Sequence, residues 1–355
     1  MGIASSARTI VAVMPVAVLI GACAAAPVVS PSRSTASAPP REVQSPAPHP
    51  ASATATKLAV SVEPAEMDAR YREALPLFEY DETAPLELAI EPLGEQLGVV
   101  RHELAYASPA GGSATGALLS PAGEGTYPGL IMLHGAGGDR RDLIDEGRRY
   151  TALGVHVLLL DAPSARRATG DWVQFSEADR REQIQLVLDL RRAVDVLAEV
   201  GADPERIGFV GYSYGGAMGA GLAGVEHRIR AYALAVADGG LVEHFTGPDD
   251  TDGEVSRLPA DARAEWIEAM EPIEPLYFVR HAAPSALLFQ SARKDELIPV
   301  EDAERLHRHA SEPKTIAWYD SGHELPIRAW CDQVDWLRDH LAFADAAWVP
   351  ACSNG

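Results

Sequence analysis

The chain has 355 residues, enough for one large domain or two ordinary ones, and a hydrophobic content of 47% can bury a substantial core. A formal net charge of -21 excludes nucleic acid as a partner, because that binding rests on clustered Lys and Arg displacing counterions. The same acidity disfavours highly anionic small substrates and leaves the fold open.

Residues 1–22 read as a signal peptide, with a short n-region carrying Arg8 and an apolar run from Thr9 to Ile20 that is short for a membrane span. Ile20-Gly21-Ala22-Cys23 resembles the lipobox of bacterial lipoproteins, although the n-region is only weakly charged. The resemblance implies lipidation of Cys23, attachment to a membrane through that lipid, and an exported, cell-envelope location. An ordinary signal peptide or an uncleaved anchor are the alternatives. Residues 23–56 are almost entirely Ala, Pro, Ser and Thr and lack the large apolar side chains a core requires, so they read as a disordered spacer. The folded domain is expected over 57–355.

No period of 20 to 50 residues recurs, and from about residue 98 strand-like and helix-like segments alternate. Gly98 to Ser108 and Thr115 to Ser120 read as two antiparallel strands joined by a turn at Gly111-Gly112-Ser113. Continuous apolar runs at Leu130 to Leu133 and Val155 to Leu160 suit strands buried on both faces. A helix is expected over about 176–200, opened by Ser176 with Asp179 as a capping pair. Its inner face would carry Ile184, Val187, Leu188, Val194 and Leu197. Ile207 to Val210 reads as the next strand, followed by a small-residue helix, and Ala231 to Ala237, Ala286 to Gln290 and Thr315 to Tyr319 complete the series. Residues 240–283 break this rhythm with the acidic stretch 247–253 and a helix around Ala260 to Met270. They are expected to form an insertion over the site, with an ordinary long loop as the alternative. Cys331 and Cys352 can pair across the C-terminal tail in an oxidising compartment. No His stands near either at a ligand spacing, so no metal is expected there.

Gly211-Tyr212-Ser213-Tyr214-Gly215 follows the strand Ile207 to Val210 directly and leads into the small-residue helix. Its glycines permit a sharp strand-to-helix turn that presents the Ser213 hydroxyl at a helix N-terminus, the setting of a nucleophile elbow. A serine hydroxyl needs a base, and His323 stands in a loop after the strand Thr315 to Tyr319. His134 also ends a strand but precedes Ser213, where the chain order of such enzymes puts the base last. Asp295, in the loop after Ala286 to Gln290, is expected to orient His323, ahead of Glu296 and Asp320. His134-Gly135-Ala136-Gly137-Gly138 suits an oxyanion hole in which the backbone N–H of Ala136 or Gly137 joins that of Tyr214. Tyr212, Tyr214 and Trp172 are candidates for an aromatic wall, or plain packing residues.

Several stretches resemble the dienelactone-hydrolase and acetyl-xylan-esterase-like branch of the α/β hydrolases. They are Ala74 to Asp81, Tyr127-Pro128-Gly129, Asp203 to Ile207, and Asp295 to Pro299. The resemblance covers about Leu75 to Ala342 and implies an α/β-hydrolase fold, with a mostly parallel central sheet and helices on both faces. It carries a Ser–Asp–His triad onto Ser213, Asp295 and His323, and calls for no cofactor. True dienelactone hydrolases use a cysteine, from which Ser213 departs, so dienelactone itself is not the expected substrate; a small carboxylic ester is. The branch is also similar to the catalytic domains of prolyl-oligopeptidase-like peptidases, which keeps an exopeptidase open. A catalytically silent fold used for binding at the envelope is the remaining alternative.

Overall fold

The computed structural model describes residues 63–167, 171–246, 255–344 and Cys352. The expected signal peptide, Cys23, the spacer 23–56 and the acidic stretch 247–253 lie outside the described residues. In chain order the elements are α1 (Pro64–Ala74), β1 (Ala89–Gln96), β2 (Val99–Ala107), β3 (Ser113–Pro121), β4 (Tyr127–Leu133), α2 (Ile144–Ala152), β5 (His156–Leu160) and α3 (Glu177–Glu199). They continue as β6 (Ala202–Tyr212), α4 (Tyr214–Ala223), β7 (Ile229–Ala235), α5 (Leu241–Thr246), α6 (Ala260–Met270), α7 (Pro275–Val279), β8 (Ala286–Ala292), α8 (Val300–His309), β9 (Lys314–Tyr319) and α9 (Ile327–Leu341).

The nine strands form one sheet in the order β1-β2-β3-β5-β4-β6-β7-β8-β9. β1, β2, β3 and β5 pair antiparallel, and every pair from β5 through β4 to β9 is parallel. The continuous apolar runs have the expected cause, since β4 and β5 are covered on both faces and Ile131, Met132, Leu158 and Leu159 are fully buried. One face packs against α3, α4 and α7, with Leu186, Leu190, Leu222 and Phe278 in its core. The other packs against α2 and α9, with Tyr150, Val334 and Leu337.

Every expected strand is present, and β4 and β6 begin earlier than their apolar runs. α3 opens as its sequence requires. The Ser176 hydroxyl accepts the N–H of Ala178, the Asp179 carboxylate accepts the N–H of Ser176, and both halves of a capping box are made. Val187, Leu188, Val194 and Leu197 are buried on its inner face and Ile184 is partly so. β1 has no sequence signal, because all eight of its residues are exposed and it contains Pro92 and Gly94; pairing with β2 alone makes it a strand.

Residues 240–283 divide in two, which corrects the expectation of a single insertion over the site. α7 is built into the body at the end of α4 remote from Ser213, where Gly224 leaves room for the backbone of Phe278. Glu274 just before it accepts the N–H groups of Leu241, at 2.6 Å, and Val242, so it pins the start of α5. Trp266 of α6 is fully buried and donates its indole N–H to Asp179 at 2.9 Å.

Cys331, on α9, is joined by a disulfide to Cys352, 21 residues on. Closing a loop of that size is worth about 3 kcal/mol through the unfolded chain. The Cys331→Ser/Cys352→Ser double variant should therefore melt at a lower temperature than wild type, and the difference should vanish when wild type is measured under reducing conditions. Equal melting of oxidised and reduced wild type would show that the bond contributes nothing.

Candidate active site

Ser213 sits between β6 and α4 with φ of 53° and ψ of -116°, a left-handed backbone that a non-glycine residue adopts only under constraint. The constraint comes from both sides. The N–H of Ser213 donates to the carbonyl of Ala235 at 2.8 Å, and its own carbonyl accepts the N–H of Ala217 at 2.9 Å, starting α4. Gly215 lets α4 press against the end of β4, because a Cβ there would strike the carbonyls of Leu133 and His134. Gly211 is bare for the same reason, since its Cβ would strike the Gly215 carbonyl. As the first residue of α4, Tyr214 has a backbone N–H with no intrahelical acceptor, and this group faces the helix N-terminal end beside Ser213.

The loop after β4 lies against this turn. A Cβ at Gly135 would sit 3.7 Å from that of Ser213. His134 is buried, and its Nε2 accepts the N–H of Ala162 at 3.1 Å, which leaves Nδ1 to carry the proton and donate to the carbonyl of Gly135 at 2.8 Å. That carbonyl also accepts the N–H of Gly138 at 3.2 Å. In a trans peptide C=O and N–H point opposite ways, so the Ala136 N–H is turned away from the His134 ring. Gly137 has φ of 70°, which closes the turn. Beyond it, buried Asp161 accepts the backbone N–H of Arg140 at 2.9 Å and the Thr115 hydroxyl at 2.8 Å, and pairs with the Arg140 guanidinium. Asp161 and Arg140 escaped sequence reasoning; the only signal was an acidic residue ending the apolar run of β5.

His323 and Asp295 are brought together. Nδ1 of His323 lies 2.9 Å from both oxygens of the Asp295 carboxylate. The same carboxylate accepts the N–H groups of Leu297 and Ile298, each at 2.9 Å. Burial works against the charge on Asp295, yet the hydrogen bonds from His323, Ile298 and Leu297 outweigh it and hold its carboxyl below the usual range. Any stability linked to that shift is present above the ordinary carboxylate pKa and is lost as pH falls through the depressed value. Because Nδ1 donates, Nε2 of His323 is the acceptor. Glu296 plays a different part, its carboxylate accepting the backbone N–H of His323 at 3.4 Å, while Asp320 pairs with Lys294 on the surface. Ser213, Asp295 and His323 all follow parallel strands and so leave the same edge of the sheet, with β7 lying between β6 and β8.

The two tyrosines beside Ser213 do not form one wall, because residues two apart across the turn emerge on opposite faces. Tyr214 is buried, donates its hydroxyl to Gln183 at 2.6 Å, and meets Trp172 edge-on at 5.5 Å. Trp172 in turn meets Phe245 of α5 at 5.5 Å. Tyr212 faces the α2 and α9 side. Among the described residues no group of three or more His, Cys, Asp or Glu side chains is placed to hold a metal.

A Gly215→Ala variant should lose soluble, folded protein or all reactivity at Ser213, because backbone rather than side-chain atoms would have to move. Far-UV circular dichroism with active-site titration checks this, and a folded, fully reactive variant would contradict the close approach described above.

The model of the prolyl oligopeptidase family matches residues 173–348. The chain is 27% identical over 181 residues to 2-succinyl-6-hydroxy-2,4-cyclohexadiene-1-carboxylate synthase of Enterobacter sp. (strain 638), a match covering 50% of this chain and 62% of that protein. It therefore spans less than two thirds of the curated relative it matches. Among solved structures, acetyl xylan esterase from Paenibacillus sp. R4 superposes with a TM-score of 0.62 at 18% identity, over 78% of this chain and 95% of that one. Acetyl xylan esterase 1 from Thermoanaerobacterium sp. JW/SL YS485 does so with a TM-score of 0.63 at 18% identity, over 77% and 92%. Together with the sheet order and the turn at Ser213, these likenesses establish that the chain has the α/β-hydrolase fold.

Proposed function

We propose that this protein is a serine esterase that cleaves a small carboxylic ester through an acyl-enzyme on Ser213. The observation that carries the reading is the Asp295–His323 hydrogen bond, which leaves Nε2 of the imidazole as a base at the edge of the sheet where the Ser213 turn emerges. In this reading Nε2 takes the Ser213 proton as the hydroxyl oxygen attacks the ester carbonyl, and Asp295 stabilises the imidazolium. The developing oxyanion is met by the N–H of Tyr214 and that of Ala136 or Gly137, each worth about 3 kcal/mol of barrier. His323 then returns the proton to the departing alcohol, and water, deprotonated by the same base, releases the acid. Acetyl xylan esterases share the fold, which makes a short acyl group on a sugar or aryl alcohol the first substrate class to try.

The match to the prolyl oligopeptidase family supports a second reading, an exopeptidase using the same three residues. A panel of aryl esters of increasing acyl length, run beside peptide anilides, separates the two. Ester turnover is expected to exceed anilide turnover, with the shortest acyl groups fastest; the reverse order would transfer the assignment to peptides. Fluorophosphonate labelling is expected in wild type and absent in Ser213→Ala. A wild type left unlabelled at Ser213 would sink both readings in favour of a binding protein.

The lipobox-like Ile20-Gly21-Ala22-Cys23 supports export and anchoring of the enzyme at the cell envelope through a lipid on Cys23. The Cys331–Cys352 disulfide is in keeping with an oxidising compartment. Radiolabelled fatty acid should be incorporated into the wild-type chain expressed in a bacterium and not into Cys23→Ser, and equal labelling of both would rule out this attachment site.

A further inference from the structure

One half-buried carboxyl group close to the nucleophile has no part in the acyl chemistry. On the face of the sheet opposite Tyr214, the Tyr212 hydroxyl donates to the Glu146 carboxylate of α2, 2.8 Å from one oxygen and 3.0 Å from the other. Gln333 of α9 donates its amide to the same carboxylate at 3.2 Å and to the Tyr150 hydroxyl at 2.8 Å. Thus β6, α2 and α9 converge on a single carboxylate, and the residue that β6 contributes is the immediate neighbour of Ser213. The charged group acting on Glu146 is Arg149 of its own helix, whose guanidinium lies over Trp330 of α9 at 5.3 Å. From the other elements packed against it, the groups facing it are Tyr212 and Gln333, with Tyr150 completing the set on α2.

We propose that Glu146 is a positioning residue for the nucleophile, holding Tyr212, and through one peptide bond Ser213, in the strained orientation that the turn requires. The inference rests on Ser213 being the nucleophile. A backbone at φ of 53° persists only where its surroundings over-determine it. Here Gln183 holds the Tyr214 hydroxyl, the Ala235 carbonyl holds the Ser213 N–H, and Glu146 holds the Tyr212 hydroxyl. Removing the third restraint lets β6 turn about its last residue. A hydrogen bond to a charged acceptor is the strongest of the three in kind, and a displacement of about 1 Å at a nucleophile costs about a hundredfold in rate.

The restraint also depends on pH. Burial raises the Glu146 carboxyl to about 7, against the opposing hydrogen bonds of Tyr212 and Gln333 and the charge of Arg149. As pH falls through that value the carboxylate takes up a proton, one of its two oxygens becomes a donor, and the double contact with the Tyr212 hydroxyl is lost. The hold on Tyr212 is complete above this range and slackens below it.

The test compares wild type, Glu146→Gln and Tyr212→Phe by the rate of fluorophosphonate labelling at Ser213 and by kcat and KM on a small aryl ester across pH. Both variants should label, and turn over, about tenfold more slowly at the alkaline plateau, as expected for one lost charge-assisted hydrogen bond, with little change in KM. The acid limb of wild type should contain two ionisations, that of the base and that of Glu146, and the limb of Glu146→Gln only one. Wild-type labelling rates in Glu146→Gln with an unchanged acid limb would overturn the proposal. Should Glu146→Gln fail to fold, by far-UV circular dichroism, Tyr212→Phe decides alone through its labelling rate, since it removes the same bond from the other side. Absence of label in wild type is a separate failure, visible before any variant is compared, and it removes the esterase reading together with this one.

Discussion

The close approach of α4 to the ends of β4 and β6 is the constraint from which the rest of the site follows. Without side chains at Gly211 and Gly215 the first turn of the helix can lie against the carbonyls of Leu133 and His134, and the chain must reverse within a single residue. Ser213 absorbs that reversal in its left-handed backbone. The strain costs of order 1–3 kcal/mol, and the hydrogen bonds on either side offset it. In return the hydroxyl stands clear of the sheet at the positive end of a helix.

Around this turn the polar groups divide by task. Those at the candidate site itself are few: a hydroxyl, an imidazole nitrogen and backbone N–H groups. Behind them stands a larger set of buried carboxyl groups that hold loops in place, such as Asp161 under the loop after β4, Glu274 at the start of α5 and Asp179 between α3 and Trp266. Each accepts backbone or indole N–H groups that would otherwise be orphaned on burial. Loops that would be loose in isolation are thereby fixed by the same rule that orders helices and strands.

Much of this was legible in the sequence, for identifiable reasons. Strands buried on both faces announce themselves as unbroken apolar runs, as at Leu130 to Leu133, and the Ser176 capping pair marks the start of α3 within a residue. That Asp295 and His323 meet was readable because each follows one of two neighbouring strands. What was not legible depends on partners distant in sequence. β1 is a strand only through β2, and Asp161 differs from any surface aspartate only once Arg140 and Thr115 are beside it. The opposite facing of Tyr212 and Tyr214 has no sequence signal, because strand alternation alone puts residues two apart on one face and it is the positive-φ turn at Ser213 that sends Tyr214 to the other; the division of 240–283 has none because α7 shows its purpose only when packed on α4.

Ser213 and His323 ride on strands of unequal security. β6 is central, with Phe209 and Val210 fully buried, whereas β9 is the last strand of the sheet, pairs with β8 alone, and leaves Ile316 42% exposed. Local opening draws first on such margins, where few apolar contacts resist it. A fluctuation that lifts β9 carries His323 off Asp295 while Ser213 and its helix stay folded. The Asp295–His323 contact therefore depends on one border of the sheet, whereas the turn at Ser213 depends on its centre.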